Sequence, residues 1–148
     1  MTDLLSEPGN GILAAPIGKG AAGMRATPAE AIAVLRKQHG SLSEVARQLE
    51  MDRSMLWQIT QGDAEPSWER GEQLRAAAGF AAPPMTPAEA VGRIVDHMTW
   101  RAAAAFVAAH VEGYIDTSYL QKIKKETVVP RWSLGNVLVE LGERMKTP

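Results

Sequence analysis

Cysteine is absent from the 148 residues. That excludes a disulfide framework, a thiolate metal site and a cysteine nucleophile. Aromatic residues make up only 5% of the chain, so a core has to be built mostly from Ala, Leu, Ile, Val and Met. No apolar run approaches bilayer-spanning length, and the N-terminal residues lack the basic-then-apolar pattern of a secretory signal. The expectation is a cytoplasmic protein with no membrane partner. An excess of one charge is missing too, because 16 Lys and Arg face 17 Asp and Glu, for a net charge of −1. Attraction to a polyanion is therefore not a whole-chain property and would have to rest on a local patch. His39, His97 and His110 are scattered, without metal-ligand spacing. Gly18-Lys19-Gly20 is too short for a phosphate-cradling loop. Neither an enzyme nor a cofactor or metal is expected.

What the chain does contain is one stretch written twice. Residues 52–74, DRSMLWQITQGDAEPSWERGEQL, align without a gap on 116–138, DTSYLQKIKKETVVPRWSLGNVL, at a constant offset of 64. Eight columns are identical: Asp52/Asp116, Ser54/Ser118, Leu56/Leu120, Ile59/Ile123, Pro66/Pro130, Trp68/Trp132, Gly71/Gly135 and Leu74/Leu138. Ordinary composition would supply roughly one or two by chance. The pattern reads as a short helix opened by Asp or Ser, a loop with Pro, and a second helix with Trp, Gly and Leu along one face. Trp68 and Trp132 are expected to be buried.

Upstream of each copy stands the same helix start, T-P-A-E, at Thr27 and again at Thr86. It combines an N-cap Thr, Pro at the first helical position and Glu at the third. From Thr27 the pattern predicts a helix to Gly40, a second over SEVARQLE, a third over SMLWQITQG and a fourth from Trp68 to Gly79. Pro83 and Pro84 stiffen a linker, GFAAPPM, that no helix can cross. The cap offset is 59 and the later offset 64, so about five residues are inserted in the second copy. The reading assigns them to a longer second helix, WRAAAAFVAAHVEG. The expected architecture is all-α, with two tandem four-helix units joined by a short Pro-containing linker. The boundaries are a flexible N-terminal arm at 1–24, a first domain at 25–80 and a second at 81–148. Lys19 and Arg25, near the end of the arm, also suit an arm that enters a minor groove.

The segment LSEVARQLEMDRSMLWQITQG resembles the helix-turn-helix of the phage-repressor and Cro-type regulators. Ala46 occupies the small position where two helices meet, and Val45, Leu49, Met51, Leu56 and Ile59 occupy the apolar ones. The resemblance covers about residues 27–79, with a weaker echo over 86–146. Two departures stand out. Glu50 occupies the turn where that family often has Gly. In the second copy His110 falls on the ungapped equivalent of Ala46, so Ala108 or Ala109 is expected to serve instead, with Gly113 in the turn.

The resemblance implies that the third helix of each unit presents its N-terminal and outward residues to base edges in the major groove. In the first unit these are Arg53, Ser54, Trp57, Gln58 and Gln61; in the second they are Thr117, Ser118, Gln121, Lys122 and Lys125, with Lys124 and Arg131 nearby. Arg pairs with guanine and Gln with adenine by bidentate geometry. Trp57 suits a sugar or a thymine methyl, and equally a protein interface. The lysines suit phosphates, and equally a solvated face. Charge separates the two units. Residues 41–75 carry four basic and seven acidic side chains, net −3, and residues 105–139 carry four basic and three acidic, net +1. The expected function is a sequence-specific DNA-binding transcriptional regulator, a repressor of phage or mobile-element type, acting on double-stranded DNA and compatible with a homodimer. Two alternatives stand beside it. One is an antiactivator that binds another protein through the acidic first unit or Trp57. The other is an architectural or excision factor that bends DNA.

Overall fold

The computed structural model describes residues 25–145. The arm at 1–24, with Lys19, lies outside the described residues. The described chain is all-α, with eight helices and no β-strand. It divides into two compact units, Ala26–Ala82 and the residues from Pro83 onward with Arg25.

The first unit holds α1 (Pro28–His39), α2 (Leu42–Leu49), α3 (Arg53–Gln61) and α4 (Trp68–Ala77). Thr27 opens α1 with the predicted capping box: its hydroxyl accepts from Glu30 N at 3.1 Å and its own N donates to Glu30 Oε1 at 2.7 Å. Ser41 and Ser67 cap α2 and α4 through their hydroxyls. Each such cap contributes about 1 kcal/mol. α1 is the hub and packs against the other three helices. The core is Ala31, Ile32, Leu35, Leu42, Val45, Ala46, Met51, Leu56, Ile59 and Leu74. Full burial of each Leu, Ile or Val side chain contributes roughly 1.5–3 kcal/mol. Leu49, expected inside, is only half-buried.

A buried cation closes this unit. Arg75 is 3% exposed. It donates to the carbonyls of Ala26 (2.7 Å) and Ala81 (3.0 Å) and to Glu72 Oε1 (2.8 Å), and its guanidinium lies 5.8 Å from the Phe80 ring centroid. One side chain therefore ties the entry of the unit to its exit.

The second unit holds α5 (Pro87–Val95), α6 (Trp100–Ala108), α7 (Thr117–Lys124) and α8 (Trp132–Met145). The Thr86 capping box repeats that of Thr27, with distances of 3.1 and 2.9 Å. α5 is the hub here and packs most heavily on α8. That approach is close. A Cβ added to Gly142 would sit 2.8 Å from the Ala90 Cα and 3.0 Å from the Met85 sulfur. α8 buries residues all around its circumference, among them Trp132, Leu134, Asn136, Leu138 and Leu141. Trp68 and Trp132 are both buried, as expected.

Three expectations need correction here. The inserted residues do not lengthen the second helix: α6 has nine residues against eight in α2. They lengthen the connection to the next helix, which has three residues, 50–52, in the first unit and eight, 109–116, in the second. Counted from the N-caps Ser41 and Thr99, the small position of Ala46 falls on Ala104, which is buried. Ala108 is half-buried and Ala109 exposed. Finally, Arg25 does not end a free arm. It is half-buried, donates to the Oδ1 of buried Asn136 and lies 5.7 Å from the Trp132 ring centroid.

Candidate nucleic-acid interface

The connection before α3 is tight. Glu50 takes the left-handed conformation, φ 55°, that a Gly would adopt without steric cost. The amide of Met51 donates back to the Ala46 carbonyl at 2.9 Å, so α3 departs directly from the last turn of α2. Leu56 and Ile59 anchor α3 to the core. At 100° per residue, Arg53, Trp57, Gln61, Ser54 and Gln58 then occupy one continuous arc of about 140° on the opposite side. All five are exposed, and Trp57 is 47% exposed. The structure thus brings the five predicted residues of the first unit onto one outward face.

The electrostatics of that face are mixed. Arg53 has no ion pair among the described residues. Arg47, on α2, is paired with Glu44, which holds the Glu44 carboxyl below the usual range and raises the guanidinium. Glu50, Asp52, Asp63 and Glu65 are exposed in the connections at the two ends of α3. Asp52 occupies the N-cap position but accepts no capping hydrogen bond.

α7 is anchored by Leu120 and Ile123 in the same way. Its outward arc carries Thr117, Gln121, Lys125, Ser118 and Lys122; Thr117 is half-buried and the other four are exposed. Asp116 caps it, accepting from Tyr119 N at 2.8 Å. Lys124 and Arg131, expected nearby, lie off this arc. Lys124 turns toward α5, its Cε 3.7 Å from where a Cβ on Gly92 would stand. Arg131 belongs to the connection before α8, where its carbonyl accepts from Gly135 N at 2.9 Å. Both are exposed.

The connections flanking α7 differ from those flanking α3. Two residues before the N-cap, Glu50 is replaced by Tyr114; in the loop after the helix, Glu65 is replaced by Val129. Tyr114 is 85% exposed and Val129 is 48% exposed. Neither residue stands among those expected from the sequence to meet a partner. The visible signal is two apolar side chains at columns where the other copy carries acids. Among the described residues no group of His, Cys, Asp or Glu could hold a metal ion, and no helix is long and apolar enough to cross a membrane. Comparison with known proteins finds no family model, no curated protein and no solved structure that matches the chain.

Proposed function

We propose that the chain is a sequence-specific DNA-binding regulator, a repressor of phage or mobile-element type that acts by occluding its operator. The observation that carries this reading is the arc of Arg53, Ser54, Trp57, Gln58 and Gln61, exposed together on a helix that leaves a three-residue turn. In this reading α3 supplies base contacts and α7 supplies phosphate contacts through Lys122 and Lys125. Phosphate contacts set register and base contacts set specificity.

Fluorescence anisotropy on labelled duplexes tests it. Arg53→Ala and Gln58→Ala should each cost about 1–3 kcal/mol on the preferred site and little on random sequence. Lys122→Ala combined with Lys125→Ala should weaken binding to every sequence. It should also flatten the slope of log affinity against log salt by nearly one unit per lysine that contacts a phosphate. A wild-type chain with no measurable affinity for duplex at moderate salt would sink the reading. A second reading then gains, favoured by exposed Trp57 and the net −3 of residues 41–75: docking of the first unit on another protein, abolished by Trp57→Ala.

A further inference from the structure

Tyr114 is the most exposed of the large apolar side chains among the described residues, at 85%. Gly113, with φ +100°, turns the chain immediately before it. Its hydroxyl makes no hydrogen bond to the protein among the described residues. Asp116, the N-cap of α7, is two residues further on. Two residues span at most about 7 Å of chain, so Tyr114 stands beside the first turn of α7. The stretch around it, 112–131, carries Lys122, Lys124, Lys125 and Arg131 against Glu112, Asp116 and Glu126, net +1, where the aligned residues 48–67 of the first unit carry Arg53 against Glu50, Asp52, Asp63 and Glu65, net −3. The first unit carries exposed Glu50 at the corresponding place, so the second unit has a neutral donor where the first has a carboxylate.

We propose that Tyr114 is a DNA-backbone contact, its phenolic hydroxyl donating to a phosphate oxygen beside those that Lys122 and Lys125 meet. The proposal rests on the DNA-binding reading above. Base edges lie inside the groove and are reached from the helix face itself. A side chain on the connection ahead of the helix meets the groove wall, where sugars and phosphates run, and Tyr is among the residues that bond phosphate oxygens. The net positive charge of the stretch suits that polyanion, where the net −3 of the aligned residues in the first unit does not, and a carboxylate at the place of Tyr114 would repel it.

The contact has a signature that separates it from the lysines. A neutral donor displaces no condensed counterion, so its loss lowers affinity without changing the salt slope. Tyr114→Phe in the full chain is the decisive variant, because the exposed ring stays and only the hydroxyl goes. Anisotropy should be measured on a labelled duplex taken from the DNA flanking the gene and on a random-sequence duplex of equal length. Tyr114→Phe should weaken both by about tenfold, as expected for one lost hydrogen bond to a charged group, with the wild-type slope retained. Tyr114→Ala should lose at least as much. Wild-type affinity in Tyr114→Phe, while the Lys122/Lys125 pair still weakens binding, would overturn this contact and leave the DNA-binding reading standing. Loss in Tyr114→Ala alone would assign the ring and not the hydroxyl, and would also overturn it. No binding by the wild-type chain removes the parent reading itself.

Discussion

The connection before α3 has three residues and the one before α7 has eight, although the helices they introduce share Asp, Ser, Leu and Ile in the same columns. The first unit has a three-residue turn before its outward helix and surrounds that helix with carboxylates. The second gives up the tight turn, carries lysines on the outward helix and replaces three of the four flanking acids. The geometry associated with base readout and the charge associated with phosphate binding therefore stand in different units. A residue at the end of a short turn is held in a defined direction. Coulomb attraction to a polyanion tolerates looser placement, because it falls off over a Debye length of about 8 Å at physiological salt. Under the proposed DNA-binding function, that difference would give base contacts to α3 and phosphate contacts to α7.

The largest expected effect tests whether the shared columns do equivalent work. Trp68→Ala and Trp132→Ala should each cost about 3–5 kcal/mol in denaturant unfolding, the usual range for truncating a buried Trp. A large loss for one with a near-neutral result for the other would break the equivalence.

A smaller effect separates the two units. Gly142 corresponds to Ala78 of the first unit, at the offset of 64. Ala78 is only half-buried at the end of α4, whereas a Cβ on Gly142 would meet the Ala90 backbone at 2.8 Å. Gly142→Ala should cost about 1–3 kcal/mol, the range for overpacking, and Ala78→Gly should cost less than about 1 kcal/mol. Thermal or denaturant unfolding checks both. Equal costs would mean that α5 and α8 do not approach as closely as described.

The smallest expected effect is a gain. Glu50 and Glu126 are the two non-glycine residues with positive φ among the described residues, at 55° and 63°. Each unit thus places one Glu where the backbone favours Gly, before α3 in the first and after α7 in the second. Gly62, at the column of Glu126, shows the unstrained choice, with φ 80°. Glu50→Gly and Glu126→Gly should each stabilise by about 0.5–1 kcal/mol, since relief of the left-handed strain exceeds the added entropy of the unfolded chain. Destabilisation by Glu50→Gly would show that the Glu side chain contributes an interaction that outweighs the strain.

Much of this was legible without coordinates. Capping boxes are local, requiring only Thr, Pro and Glu at fixed spacing, so both T-P-A-E starts formed as read. Helix periodicity is local too, so Leu56, Ile59, Leu120 and Ile123 could be placed inside and the arcs of α3 and α7 outside. The burial of Trp68 and Trp132 was likewise readable from the repeat. Where the inserted residues go was not local. An Ala-rich segment such as WRAAAAFVAAHVEG has helix propensity throughout, and nothing in its period marks an end at Ala108. Packing of Ala103, Ala104 and Val107 in the second unit decided it. Arg25 and Arg75 were unreadable for the same reason. Each is a long cation whose partners, Asn136 for one and Ala26 and Ala81 for the other, lie far away or beyond a chain reversal. Periodicity alone divided the lysines, with Lys122 and Lys125 on the outward arc and Lys124 beside Leu120 at its edge, but only the packing showed Lys124 lying against Gly92 of α5. Hydrogen bonds within a helical turn follow from spacing along the chain, whereas which distant backbone a buried guanidinium meets depends on how the helices pack.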